Sequence, residues 1–545
     1  MTLTTNSQEV PVRIVGSSVF GRYPTISVER TYNMFVTLSG DGEEEWLTNF
    51  AGFEAALEFF EDAVEGRGFF HSVRGRFVLV VVAAAVYKFD SFSGLPTQLG
   101  TIDSTTGEIS FDENLSSQIC FVASGKAYIY NYEFAPTAIA EAALVGITIG
   151  DTTFRPNYVS YQNTYFLFGN SLTTNAGSQW VVVESGSIDL ATAYTLNWVQ
   201  TLTLQTKPDF AKAVLRIPGK GNNVIVFGST VAELWTNVGG LLVYQRNQSV
   251  NIDFGAASVA TIAANDEVVV WLGINENSEP ALMAMRGGGA SRISTDGLDY
   301  LFSTVQDPSS STAFLYRQDG HLFYVLTFLG ESDNFTIAYD FTRNKIYDLT
   351  DWDFTAFPAR QMIYFLGKTY FLSFKDGKIY RISSDITTYD VLVNDPSEEV
   401  DEIYDIPRVR LTNTFRLPRP ENMLVKMFTF VIESGTTLEA YNQPICRGYI
   451  ITEDTEQVIY SEDDLPLLTE GGYCYTNIPR VDLTISKNGG ITFSNVVPYT
   501  LKPTGKYQNQ PRFNDLGYAQ QITYQMRFWG KGRIVVKNGM MEIGK

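Results

Sequence analysis

The chain has 545 residues, 44% hydrophobic and 14% aromatic, which is enough apolar mass for sizeable cores and excludes disorder as its general state. Sixty acidic side chains against 40 basic ones give a net charge of −20, which excludes the broad basic footprint used to grip nucleic acid through its phosphates. With two histidines and three cysteines, Cys120, Cys446 and Cys474, at no metal-like spacing, the chain is expected to carry reduced thiols, no metal and no cofactor.

The first residues, MTLTTNSQEV, lack a basic n-region and an apolar h-region, so no secretory signal is expected. VPVRIVGSSVF and ERTYNMFV each read as a strand, and GDGEEEWLTNFAGF reads as a loop returning to a strand. Residues 1–60 are therefore expected to be an N-terminal β segment that packs on, or closes, the rest. The like-charge run Glu43, Glu44 and Glu45 reads first as a solvated loop; its second reading is an acidic lining for a channel.

From residue 61 to 385 one phrase keeps returning: a tight polar turn, then a burst of alternating aromatic and aliphatic residues. It opens at Arg74, Ser124, Tyr161, Gly221, Asn265, Asp319 and Leu366. Each burst reads as a strand leaving a turn, because β-branched and aromatic residues suit a pleated, half-buried surface. A recurrence of about 40 to 50 residues with several strands per unit is the signature of a β-propeller, here of six or seven blades. The longest apolar run, Phe77 to Val86, is half of what a membrane span needs and reads as a buried strand. The stretch from Met285, MRGGGASRISTDGLDYLF, interrupts the pattern. It lacks the Lys-Ser/Thr of a phosphate loop, so Gly287, Gly288 and Gly289 read as a flexible turn.

Residues 386–407 are acidic and hold two prolines, and are expected to be a linker. Residues 408–545 resume strand-like alternation, broken by an acidic insertion from Ile451 to Pro466. Near the end Ile522, Tyr524, Met526 and Phe528 alternate with Thr523, Gln525 and Arg527, as in a half-buried strand. This part is expected to be a C-terminal β domain of sandwich type, making the chain all-β.

No pattern marks a reaction centre. His71 and His321 lie in or beside expected strands, and no G-x-S-x-G elbow surrounds a serine. Asp333, Asp340, Asp348, Asp351 and Asp353 crowd one region, but Asp in all-β chains mostly supports turns through its side chain. SKNGGITF, Ser486 to Phe493, approximates the Asp-box hairpin S-x-D-x-G-x-T-W, with Gly489 and Gly490 at the tight turn. That box is a turn device even where it is complete. No enzymatic activity and no catalytic residue are expected.

Several phrases together resemble the tail nozzle, or packaged-DNA stabilisation, proteins of short-tailed phages. ERTYNMFV is similar to an early Tyr-x-Asn-Met-Tyr-like strand of that family. NFAGFEAALEF followed by GRGFFHSVRGRFVLVVVAAAVYKFD looks like its entry into a first blade, and RISTDGLDYLF like a mid-chain Arg-Ile-Ser-Thr phrase. SKNGGITFSN with TGKYQNQPRFNDLGYAQQITYQMRF looks like its closing segment, although QNQPRFNDLG has one Arg and no Trp where the family is Arg-rich with Trp. The resemblance implies a virion structural protein of the tail, assembled in the host cytoplasm. Its copies, usually six, would form a nozzle below a portal–adaptor ring, with tail fibres or spikes outside. The nozzle would retain packaged DNA and pass it at ejection without binding it tightly. The alternative is a propeller-type glycan-binding or glycan-cleaving tail protein.

Overall fold

The computed structural model describes residues 7–544 apart from 24–26, 40–41, 58–64, 146–147, 150–151, 185–194, 220, 241, 332, 396–397, 419–420, 435–443, 450–467, 477–478, 503–507 and 531. The acidic insertion singled out between Ile451 and Pro466 thus lies outside the described residues.

Seven antiparallel sheets follow one another along the chain as the blades of a propeller. Blade 1 holds strands Gly66–Ser72, Phe77–Val82, Ala85–Phe89 and Thr97–Thr101. Blade 2 spans Ser110–Glu113 to Ile139–Glu141, blade 3 Pro156–Gln162 to Thr195–Thr203, and blade 4 Ala213–Arg216 to Tyr244–Ile252. Blade 5 runs from Gly255–Ala256 to Gly289–Arg292, its first strand interrupted by a 3-10 turn at Val259–Thr261. Blade 6 runs from Thr312–Gln318 to Lys345–Leu349. Blade 7 takes three strands, Ala359–Phe365, Lys368–Ser373 and Ile379–Ser383, from this end of the chain and its fourth, Gly52–Leu57, from the N-terminal segment. The first strand of blade 7 lies beside the first strand of blade 1, so the circle closes.

The blade interiors follow from sequence directly. Phe77–Val82, FVLVVV, is buried at every position, as is Gln118–Ala123, QICFVA. A second strand has neighbours on both edges and packs against the adjacent blades on both faces, so it reads as an unbroken apolar run rather than an alternation. Trp180, Trp235 and Trp271 are fully buried on the second or third strands of blades 3, 4 and 5.

A β-sandwich is built from both ends of the chain. One sheet joins Ser7–Val12, Met34–Leu38 and Glu45–Asn49 to Met423–Ser434, Gln508–Asn509, Arg512–Ala519 and Ile534–Gly544. The facing layer joins Arg30–Tyr32 to Arg408–Leu411, Gln521–Trp529, Arg480–Ser486 and Val497–Thr500. Across the gap, Phe428 stacks on Tyr524 with ring centroids 4.0 Å apart. The alternation noted near the C-terminus is realised: Ile522, Tyr524, Met526 and Phe528 are all buried. Sandwich and propeller share one core, in which Met34, Phe50 and Val425 cluster with Phe323, Phe357 and Phe371 of blades 6 and 7. The sheets also fuse, because Tyr32 pairs in parallel with Asp348 on the outer strand of blade 6.

Residues 386–407 are not a bare linker. Strands Thr388–Asp395 and Glu398–Asp405 form an antiparallel hairpin, and Tyr389 pairs in parallel with Phe53 at the edge of blade 7. Tyr389 supplies the reason: it is fully buried and stacks on Phe53 at 4.4 Å. The glycine triplet from Gly287 opens into strand Gly289–Arg292, followed by the helix Asp296–Thr304, which is capped by the Thr295 hydroxyl accepting from the Leu298 N–H. No helix among the described residues is long and apolar enough to cross a membrane.

Candidate functional site at the propeller axis

The first strands of every blade but the fourth line a cavity of about 620 Å³. Its walls include Glu65, Glu108, Asn157, Tyr158, Ser309 and Arg360, and Phe70 and Phe111 stack within it at 5.4 Å. Arg360 is the charged centre. Its Nε donates to Glu108 at 2.7 Å, and its Nη1 donates to the Gly66 carbonyl at 3.0 Å and to Glu65. Burial pushes the Glu108 carboxyl up, against the opposing pull of Arg360. Arg67 is fully buried alongside and donates to four backbone carbonyls, those of Ala83, Ser104, Thr106 and Gly107.

Side chains also stitch every blade to the next. Between blades 7 and 1, Gln361 accepts from the Phe69 N–H at 2.7 Å. Between blades 1 and 2, Arg67 donates to Gly107 at 2.8 Å, and between 2 and 3, Asp112 accepts from the Tyr161 N–H at 2.6 Å. Ser160 accepts from the Arg216 N–H at 3.1 Å, and Lys212 donates to the Ala256 carbonyl at 3.3 Å. Tyr324 of blade 6 donates back to Thr261 of blade 5 at 2.7 Å, and Thr312 of blade 6 donates to the Arg360 carbonyl at 3.4 Å. The axis is thus a closed, cross-tied ring of short polar links.

The acidic run singled out in the sequence sits elsewhere. Glu43 and Glu44 lie in the turn that precedes the sandwich strand Glu45–Asn49, and Glu43 is exposed. Glu44 accepts from Lys537 at 3.0 Å and from the Trp46 indole at 3.3 Å, while Glu45 accepts from Lys345 of blade 6 at 2.7 Å. Two of the three carboxylates therefore bind the sandwich strand to its neighbours.

In the hairpin from Ser486, the Ser486 hydroxyl donates to Asn488 Oδ1 at 2.8 Å and accepts from the Gly490 N–H at 2.9 Å. Asn488 in turn donates to the Thr492 hydroxyl at 2.8 Å. Gly489 and Gly490 have φ of 75° and 87°, a backbone region that side chains avoid. A groove of about 610 Å³ runs beside it, lined by Phe493, Val497 and Leu516.

The remaining candidates are spread through the fold. His321 is buried and donates from Nδ1 to Asp340 at 2.8 Å, and His71 packs its ring on Phe365 at 5.2 Å. The five aspartates each serve a local partner: Asp333 the Gln306 N–H, Asp340 His321, Asp348 the Ser18 hydroxyl, Asp351 Lys375, and Asp353 the Thr355 N–H. Cys120 is buried and free, and Cys446 and Cys474 are backbone partners in the register of paired strands. Among the described residues no three His, Cys, Asp or Glu side chains group as metal ligands. Sequence reasoning missed the buried arginines. Arg408 donates to the Gly530 and Thr387 carbonyls, and Arg410 to the Ile14 carbonyl and Glu29. The signal was available as Arg-x-Arg inside an apolar strand.

Comparison with known proteins gives a family. The model of the family described as "Bacteriophage P22 Gp10, beta-propeller" matches residues 33–387. No curated protein matches the chain. Similar solved structures include an ancestral GH74 enzyme, with TM-score 0.39 and 11% identity over 70% of this chain and 53% of that one. The AfRom2 CNH domain has TM-score 0.37 and 10% identity over 61% and 98%, and a luciferin-regenerating enzyme TM-score 0.33 and 10% identity over 61% and 95%. The chain spans about half the length of the GH74 enzyme.

Proposed function

Because the chain belongs to the phage family described as Bacteriophage P22 Gp10, β-propeller, we propose that it is a structural, non-catalytic component of a short virion tail. In this reading several copies, six by the family resemblance, form a nozzle below a portal–adaptor ring. The nozzle retains packaged DNA and conducts it during ejection, and fibres or spikes attach outside. The observation that carries the reading is the family match over the whole propeller.

Two physical features support it. The axial cavity, at about 620 Å³, has the size of a small-ligand pocket and is crossed by stacked phenylalanines, whereas the major groove of B-DNA alone is about 12 Å wide. A duplex therefore runs past the propellers, between copies, and not through one. A net charge of −20 gives the passing polyanion little to hold, since each Lys or Arg on a phosphate adds salt-dependent affinity. The test is reconstitution. DNA-filled particles assembled without this chain should leak their genome, and purified protein added back should stop the leak. Particles that hold their DNA equally well without it would refute the reading.

A further inference from the structure

One end of the propeller carries large apolar side chains in solvent, six of them on blades 7, 1 and 2. In each antiparallel blade the turns from first to second strand and from third to fourth emerge at the same end. Val73 and Leu95 occupy those turns of blade 1, Leu115 and Phe134 those of blade 2, and Tyr364 and Leu366 flank the first turn of blade 7. Exposure runs from 57% at Phe134 to 90% at Leu95. The three blades present one surface. Arg74 donates to the Leu115 carbonyl, joining blades 1 and 2, and His71 and Phe92 pack on Phe365 at 5.2 and 5.6 Å, joining blades 1 and 7.

The rim is cationic. Arg74, Arg76 and Lys368 are exposed, and none has a carboxylate within ion-pair distance among the described residues. The nearby acids are engaged: Asp90 with Lys88 at 3.1 Å, Glu133 with Ser117 at 2.9 Å, and Glu113 with Tyr132 at 2.7 Å. At the same end, blade 3 offers Asn163 and Thr164, blade 4 the exposed Val238 and Leu242, blade 5 Asn265 to Glu267, and blade 6 Asp319, which Arg533 of the sandwich approaches at 3.9 Å. The apolar residues are therefore densest on blades 7, 1 and 2, and patches of this kind mark contact sites.

We propose that this surface seats a second copy of this chain, an assignment that rests on the ring reading above. The occupant follows from charge. Three cations without ion-pair partners around an apolar centre fit an acidic protein surface, and a chain with net charge −20 supplies one. Phosphates of DNA would satisfy the cations but leave the apolar turns of three blades without partners. The contact is also head-to-tail. A two-fold arrangement would set Arg74, Arg76 and Lys368 against their own copies, whereas a heterologous contact avoids this and closes into a ring.

The test is the native mass of the full chain by light scattering, for the parent, for Leu115→Glu/Leu366→Glu, for Arg76→Glu/Lys368→Glu, and for the control Val496→Glu, exposed on the sandwich. Leu115, Leu366, Arg76 and Val496 lie outside the strands and Lys368 opens one, and all five are exposed, so melting temperatures should match the parent's. The parent and control should form a ring several times the 60.8 kDa protomer mass, and both double variants should fall to the protomer mass at the same concentration. If the parent forms rings and the double variants do so equally, this surface assignment is overturned while the ring reading stands. A parent that remains a single copy, free and on portal–adaptor complexes, overturns both. Loss of binding to a DNA duplex or to anionic vesicles in the charge variant, with ring mass unchanged, reassigns the surface to that ligand.

Discussion

Burial of polar side chains decides much of the energetics. Arg67, itself fully buried, donates to four backbone carbonyls. Arg67→Met fits the volume but removes those hydrogen bonds, and should destabilise the protein by about 1.5 to 3 kcal/mol in chemical denaturation. Asp348 lies where propeller and sandwich fuse. Burial raises its carboxyl from 3.8 to about 6, opposed by Arg30 and by the Ser18 hydroxyl at 2.5 Å. The native state then holds this proton more tightly than the unfolded chain. Its stabilising share is complete below about pH 4 and is lost as pH rises through about 6, at roughly 1.4 kcal/mol per unit. Asp348→Asn cannot ionise, so its melting temperature relative to the parent's should rise between pH 4 and 7. A constant difference across that range would show that burial does not raise this carboxyl in the folded protein.

The propeller depends on one borrowed element. Strand Gly52–Leu57 completes blade 7 by pairing Phe53 with Ile382 and Ala55 with Tyr380. Phe53 is buried against Phe357, Phe371, Tyr380 and Tyr389, with centroids 4.4 to 5.9 Å away. Phe53→Ala should cost about 3 to 5 kcal/mol and open blade 7 to proteolysis before the other blades. Uniform cleavage of all blades would argue against this closure. The seven bursts read in sequence number one per blade. Six fall on second strands, and the burst from Ser124 falls on the third strand of blade 2, Lys126–Asn131. Second strands were legible because burial on both faces removes their polar residues. The N-terminal strands were legible as strands but not as to partner, since Arg30–Tyr32 and Gly52–Leu57 pair with segments more than 300 residues away. The hairpin at 388–405 was hidden by its acidic composition, and its anchor Tyr389 is a single residue. The blade-to-blade links were equally hidden, because Gln361, Asp112 and Ser160 look like ordinary polar strand residues until the neighbouring blade is in place.

At the scale of the whole molecule, the propeller and sandwich share one apolar core and a fused sheet, the construction expected of a rigid wall. If that wall serves as a conduit, DNA should not bind it appreciably even at low salt. A purified assembly that retains duplex tightly at about 50 mM salt would imply phosphate contacts that the acidic composition does not provide. The most direct test of the central claim is an electron cryo-microscopy reconstruction of the virion tail. The account predicts several copies of a seven-bladed propeller, each fused to a β-sandwich, encircling the DNA path beneath the portal. A tail whose DNA path is walled by other proteins, with this chain absent or attached singly at its periphery, would contradict it.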